Sequence, residues 1–147
     1  GIRGGRSLYA FSPGGASTPF LPADRAGTPV DFDALAAAGS GLGSGALLVV
    51  AAGRDLLDVA IQQVRFFSSE SCGKCVPCRT GSAEAVTKLD AARDGHPEPG
   101  LETLLNELDE TLAQTAICGL GQVALTPVMS VLHHFPDEAA RLRAEDA

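Results

Sequence analysis

Three of the four cysteines lie within one seven-residue stretch, and this crowding constrains the chain more than any other feature. Cys72, Cys75 and Cys78 follow one another at three-residue steps in the segment SCGKCVPCR, whereas Cys118 is remote in sequence. Thiols this close together are unlike a framework of structural disulfides, which links cysteines at wider spacings. The pattern predicts that the cysteines bind one shared metal centre.

Two kinds of metal centre are compatible with this spacing. A [4Fe-4S] cluster is held by four cysteine thiolates, and a CxxCxxC run with a fourth cysteine elsewhere is typical of it. Structural zinc sites usually draw their ligands as two separated CxxC pairs, so a triplet with one distant partner fits zinc less well. The spacing favours a cluster held by Cys72, Cys75, Cys78 and Cys118, and structural zinc in a helical interaction module is the alternative.

Helical periodicity begins after Asp55, which can cap the first helix. Apolar residues recur at three- and four-residue steps in three stretches: 56–67, 85–92 and 101–116. A fourth helix is expected from Thr126, as its cap, with proline at the first helical position. The turn at 94–100 separates two helices of similar length, and an antiparallel pair returns the chain to its starting level. We therefore expect a four-helix bundle that brings Cys118 back to the triplet.

The first 53 residues have a different pattern, rich in glycine and proline. Ser7–Phe11 and the apolar run 46–51 predict strands, and Asp33 is expected to cap a short helix over 34–38. The change of pattern predicts an α+β chain with two units, a strand-and-turn unit over 1–53 and a helical unit over 54–147.

Composition excludes several classes of function. The chain of 147 residues carries a formal charge of −7 with only 11 Lys and Arg, which argues against a nucleic-acid partner, because phosphate binding needs a clustered cationic face. The longest apolar run is far shorter than the roughly 20 residues that span a bilayer. No cationic leader is visible. We expect a protein of the cytoplasm, or of the periphery of a membrane complex, without direct membrane insertion.

The two cysteine segments resemble a known family. ESCGKCVPCRTG (70–81) and ICGLGQ (117–122) are similar to the C-terminal part of the NADH-binding flavoprotein subunit of respiratory complex I. The same module occurs in the diaphorase subunit of NAD-reducing hydrogenases and in the beta subunit of NAD-dependent formate dehydrogenases. The resemblance extends to PGGASTP (13–19) and to His134-Phe135, and so covers nearly the whole chain.

The resemblance implies an electron relay. NADH passes a hydride to FMN, and electrons then move singly through a [4Fe-4S] cluster to iron-sulfur centres of partner subunits. The implied fold is a partial ubiquitin-like β-grasp domain of the soluble-ligand-binding type followed by a four-helix bundle that holds the cluster. Carried over to this chain, the ligands are Cys72, Cys75, Cys78 and Cys118.

The family's FMN and NAD(H) sites lie upstream of residue 1, so the resemblance places no catalytic residue in this chain. The chain begins with Gly1 rather than Met, and we expect it to be part of a longer enzyme and to oxidise no NADH by itself. Leu125-Thr126-Pro127 stands where the family commonly has Pro-Asn-Pro, and this leaves the three enzyme types open. Without the first strands of the β-grasp domain, residues 1–53 are expected to expose a sheet edge and to be less stable than the helical half.

Overall fold

The computed structural model describes residues 1–143. Short strands and one short helix occupy the first third of the chain, and helices occupy the rest. In chain order the elements are β1 (Leu8–Ser12), β2 (Leu21–Pro22), α1 (Phe32–Ala37), β3 (Leu48–Ala51), α2 (Leu56–Ser69), α3 (Ser82–Arg93), α4 (Leu101–Thr115), α5 (Gly119–Gln122), α6 (Thr126–His134) and α7 (Pro136–Ala139). The α+β class predicted from the sequence is confirmed. Residues 144–147 of the predicted helical unit lie outside the described residues.

The sheet has three antiparallel strands in the order β2-β1-β3. Val50 pairs with Ala10 and both are buried, whereas its neighbour Val49 is exposed. This alternation is what the period-two geometry of a strand requires when one face covers a core. Among residues 1–143, β3 has no strand on its outer side. Val49 on this strand and Leu47 just before it are both exposed.

One hydrophobic core joins the sheet to the helices. Ala10, Phe20 and Val50 from the first 53 residues belong to the same buried cluster as the apolar faces of α2, α3, α4 and α6. The helix that the sequence predicts most clearly, α4, contributes Leu101, Leu105 and Leu112 to this cluster. Burial of shared apolar surface is the main term that holds the two parts together.

Polar contacts reinforce this junction. The backbone N–H of Phe20 donates to the buried Ser130 Oγ of α6 at 2.9 Å, and Ser130 Oγ donates to the carbonyl of Pro127 at 2.7 Å. The rings of Tyr9 and Phe135 pack with their centroids 5.6 Å apart. Burial, and then the neighbouring Glu138 carboxylate, raise the pKa of Tyr9. The boundary at residue 53 or 54 remains a prediction, because the two units share both a core and these contacts.

Two of the three predicted caps are wrong. Asp55 caps α2 as expected, accepting from the N–H of Asp58 at 2.8 Å. The cap of α1 is Asp31 rather than Asp33, because the helix begins two residues earlier than its alanine run suggests. Thr126 is the first residue of α6 and follows Leu125, which offers no side-chain cap.

No helix within residues 1–143 is both long enough and apolar enough to traverse a bilayer.

Candidate iron-sulfur centre

All four cysteines line one cavity of about 230 Å³. Glu70, Ser71, Lys74, Ile117 and Leu120 complete its wall. A larger cavity, of about 660 Å³, lies elsewhere on the molecule and contains Arg93, Arg141 and Arg143. Each of those arginines is bound to carboxylates. We therefore place the candidate site at the cysteine cavity, where the side chains have no other evident use.

The triplet is positioned by the end of α2 and by a tight turn. Helix α2 ends at Ser69, and Gly73 then adopts a left-handed conformation with φ of +74° that a side chain would strain. Pro77–Gly81 forms one π-helical turn that leads into α3 and carries Cys78. Such single π turns are found frequently at functional sites, because they redirect side chains within an otherwise regular helix.

The fourth cysteine reaches the cavity through the pair of helices formed by α3 and α4. The helices are 12 and 15 residues long and are separated by the turn over 94–100, so the chain travels about 18 Å away and about 22 Å back at 1.5 Å per residue. Cys118 then lies in extended conformation immediately before α5. Two segments that are distant in sequence thus contribute to one cavity.

Gly121 packs directly against the buried cysteine. A Cβ atom at this position would lie 2.6 Å from Ala116 Cβ and 3.3 Å from Cys78 Sγ. Gly119, in the same short helix, has nothing within 4 Å of its hypothetical Cβ. The glycine at 121, unlike that at 119, is required by the close approach of α5 to Cys78.

Two of the sulfur atoms have polar neighbours, and those of Cys75 favour its thiolate form. The backbone N–H of Ile117, and then that of Cys78, lower the pKa of the Cys75 thiol. Ser71 Oγ lies 3.3 Å from Cys78 Sγ. Thiolates are the form of cysteine that ligates metals, so these donors suit a ligand role.

The four thiols differ widely in exposure. Cys78 is buried, Cys75 is half-buried, and Cys72 and Cys118 are exposed. The cavity therefore has one wall in the core and one at the surface. Lys74 in its wall, and Arg79 beside it, place positive charge next to the negative charge that four thiolates would carry.

The size of the cavity suits an occupant larger than one ion. Within the described residues, no three His, Cys, Asp or Glu side chains are gathered closely enough to hold a single metal ion. The cavity is also several times larger than the roughly 30 Å³ that one water molecule occupies in the liquid. The donor set and the room available fit a four-iron cluster.

Sequence reasoning misses two features of the site. It does not single out Ser71, although the position of this serine beside the triplet is a visible signal for a hydroxyl near sulfur. It also does not predict the close packing at Gly121, where an added Cβ would meet the side chains of Cys78 and Ala116. Of the apolar residues next to the cysteines in sequence, Ile117 and Leu120 line the cavity, and Val76 does not.

The histidines stay apart from this cavity, as far as residues 1–143 describe it. His133 and His134 lie at the end of α6 with their ring centroids 4.6 Å apart. Burial, and then His133, lower the pKa of His134. Their position at a helix C-terminus suits a capping or surface role.

Comparisons with known proteins identify relatives of this chain. The curated relatives that match include the F subunit of the NADH-quinone oxidoreductase of Rickettsia typhi, 39% identical over 140 residues that cover 94% of this chain and 33% of the relative. Its counterpart in Mycobacterium tuberculosis is 36% identical over 141 residues, covering 94% of this chain and 31% of the relative. The chain thus spans about a third of the length of these relatives.

A solved structure has the same fold. The NAD⁺-reducing [NiFe]-hydrogenase in its H₂-reduced state superposes with a TM-score of 0.84 at 27% identity, covering 96% of this chain and 24% of the hydrogenase chain. The family model described as the NADH-ubiquinone oxidoreductase-F iron-sulfur binding region matches residues 58–142, which is more than half of the chain and includes all four cysteines. On these grounds, the chain belongs to the family of NADH-ubiquinone oxidoreductase-F iron-sulfur binding regions.

Proposed function

We propose that this chain is the electron-transfer module of an NADH-oxidising flavo-iron-sulfur oxidoreductase, with Cys72, Cys75, Cys78 and Cys118 as the ligands of a [4Fe-4S] cluster. The observation that carries the proposal is the convergence of two distant cysteine segments on one cavity. Family membership supports the cofactor, and the cavity supports the choice of ligands.

A [4Fe-4S] cluster, when bound, accepts and releases one electron at a time. The chain's own residues supply four thiolates, limit the access of water and set the local charge. Ile117 and Leu120 give the cavity an apolar wall, and Lys74 offsets part of the thiolate charge. These are the contributions by which a protein tunes a cofactor whose redox chemistry is its own.

NADH and FMN bind, in this proposal, to the part of the parent enzyme that lies outside this chain. Electrons would enter from FMN and leave toward an iron-sulfur centre of a partner subunit, in the cytoplasm or at the edge of a membrane complex. The relatives are F subunits and, by that name, parts of larger assemblies. We expect the isolated chain to show no NADH oxidation and the full-length parent to show it.

Metal and sulfide analysis after anaerobic purification tests the cluster. We expect a brown chain with about four irons and four sulfides, the composition of a [4Fe-4S] centre. A colourless chain with one firmly held zinc would instead support the structural-zinc alternative, in which the helices form an interaction surface.

Substitution of the remote cysteine tests the ligand set. Cys118→Ser should lower the iron content sharply, because the fourth thiolate is lost while the triplet remains. Thr115→Ala is the matched control, since its exposed side chain bonds only within α4, to the carbonyl of Thr111. If Cys118→Ser kept as much iron as Thr115→Ala, Cys118 would not be a ligand.

A further inference from the structure

Cys78 differs from the other three thiols in its surroundings. Its side chain is 5% exposed and belongs to the main hydrophobic cluster. Ser82 Oγ donates to its carbonyl at 2.6 Å, and Gly121 closes over its sulfur. A hydrogen bond to this sulfur is screened less by water than a bond to a surface sulfur, and so it is electrostatically stronger.

The side-chain contact at this sulfur comes from Ser71. Ser71 Oγ lies 3.3 Å from Cys78 Sγ, within the range for a hydrogen bond to sulfur. Either atom can donate while Cys78 carries a proton. Once Cys78 ligates iron it is a thiolate without a proton, so only the serine hydroxyl can be the donor.

One further hydrogen bond orients the serine, and a second orients the glycine that makes it. The backbone N–H of Gly73 approaches Ser71 Oγ at 3.4 Å, which occupies an acceptor position and leaves the hydroxyl proton free for sulfur. Arg79 Nη1 donates to the carbonyl of Gly73 at 2.7 Å. The Gly73 N–H thus orients the hydroxyl, and Arg79 holds the backbone of Gly73 in the turn beside Cys78.

From this geometry we propose that Ser71 is a residue that raises the reduction potential of the cluster, by donating a hydrogen bond to Cys78 Sγ. The inference rests on the proposed function, because it requires a cluster on the four thiols. One-electron reduction adds one negative charge to the cluster and its thiolates, and a donor aimed at sulfur stabilises this more negative state. No bond is made or broken, and the proton remains on Ser71 Oγ. Hydrogen bonds to sulfur are among the factors that set iron-sulfur potentials.

The test is a redox titration of the 147-residue chain, purified anaerobically with its cluster. Dithionite supplies the electrons, and the reduced fraction is followed by electron paramagnetic resonance. Ser71→Ala should shift the oxidised-to-reduced ratio about tenfold toward the oxidised form at a given ambient potential. For a one-electron couple this equals a midpoint about 59 mV more negative. Ser71→Thr, which keeps the hydroxyl, should stay close to the wild type.

Thr80→Ala is the matched control. Thr80 lies two residues after Cys78, but its hydroxyl bonds the carbonyl of Val76 at 2.8 Å rather than a sulfur. Its removal should leave the midpoint unchanged. An equal shift in Ser71→Ala and Thr80→Ala, or no shift in Ser71→Ala, would overturn the inference.

A second variant separates tuning from assembly. Ser71→Gly removes the hydroxyl without placing a methyl group against sulfur, and its midpoint should match that of Ser71→Ala. If neither variant assembled a cluster while Thr80→Ala did, Ser71 would be an assembly determinant, and the tuning role would be refuted. A wild-type chain that holds zinc would refute the proposed function itself, whereas a cluster whose potential ignores Ser71 would refute only this inference.

Discussion

Replacement of Gly121 by alanine should disturb both the packing of α5 and the candidate site. The added Cβ would lie 2.6 Å from Ala116 Cβ and 3.1 Å from Cys78 Cβ, and neither neighbour is the flexible end of a long side chain. Overpacking of this kind costs about 1–3 kcal/mol. Alanine recovers roughly 0.5–1 kcal/mol of helix preference relative to glycine. These two opposing effects leave a net loss of at most about 2.5 kcal/mol, with a central value of about 1 kcal/mol.

The loss is large enough to measure by thermal unfolding. For chains near this size, about 1 kcal/mol corresponds to a change of about 2–4 °C in Tm, so we expect Tm to fall by several degrees in circular dichroism. The shift should appear both with the metal centre and after its chelation, because the contact with Ala116 does not depend on metal. The iron content should fall as well, since Cys78 is one of the two neighbours that must shift.

Gly119→Ala provides the control within the same helix. Its Cβ would meet nothing within 4 Å, and neither glycine has a positive φ. This variant should keep its iron and match or slightly exceed the wild-type Tm. If Gly121→Ala behaved like Gly119→Ala in Tm and in iron content, the close packing of α5 on Cys78 would be refuted.

Further expectations concern stability. Arg141 binds both carboxylate oxygens of Asp55 at 2.9 Å. This hydrogen bonding lowers the pKa of Asp55 below its ordinary 3.8, although burial acts in the opposite direction. The pair therefore stabilises the fold fully above about pH 5. Its contribution is lost as the pH falls through the lowered pKa. Asp55→Asn should lower the free energy of unfolding by about 1 kcal/mol or less at about pH 7, since both side chains are over a third exposed. In urea titrations, the difference from wild type should shrink below pH 3.8. Ser130→Ala should lower the free energy of unfolding by about 1–3 kcal/mol, because the buried Phe20 N–H loses its partner. The control Ser69→Ala, at an exposed hydroxyl, should change it little. Equal losses in the two variants would contradict the junction role of Ser130. Hydrogen exchange should show weaker protection in β3 than in α4, because among the described residues β3 pairs with a strand on one side only. Equal protection would contradict the lower stability expected of the first 53 residues.

Much of the helical half follows from local pattern. The leucine steps of α4, the Asp55 cap and the turn over 94–100 are properties of short segments, so they can be predicted without tertiary information. The convergence of Cys118 on the triplet follows from the similar lengths of the two helices and the antiparallel turn between them. The α+β class is also accessible, because glycine-rich strands and amphipathic helices occupy separate parts of the chain.

The remaining features depend on contacts that no local pattern encodes. The π-helical turn at Cys78 and the need for glycine at 121 arise from how α5 approaches the start of α3. Phe20 and Ser130 are 110 residues apart, and nothing near either residue indicates their pairing. The caps at Asp31 and Leu125 differ by one or two positions from those expected because several residues in each stretch can start a helix, and tertiary packing selects one.

The turn between α3 and α4 has a practical consequence for engineering. It lies at the end of the helix pair away from the thiols, and most of its residues, including Asp94, Gly95 and Gly100, are exposed. Extra residues inserted there would lengthen a surface loop without changing the position of the helix ends next to the cysteines. Lengthening only one helix would instead rotate Cys118 about the helix axis by about 100° per added residue. The turn is therefore a suitable insertion site for a spectroscopic label or an affinity tag, whereas α3 and α4 must keep their relative lengths.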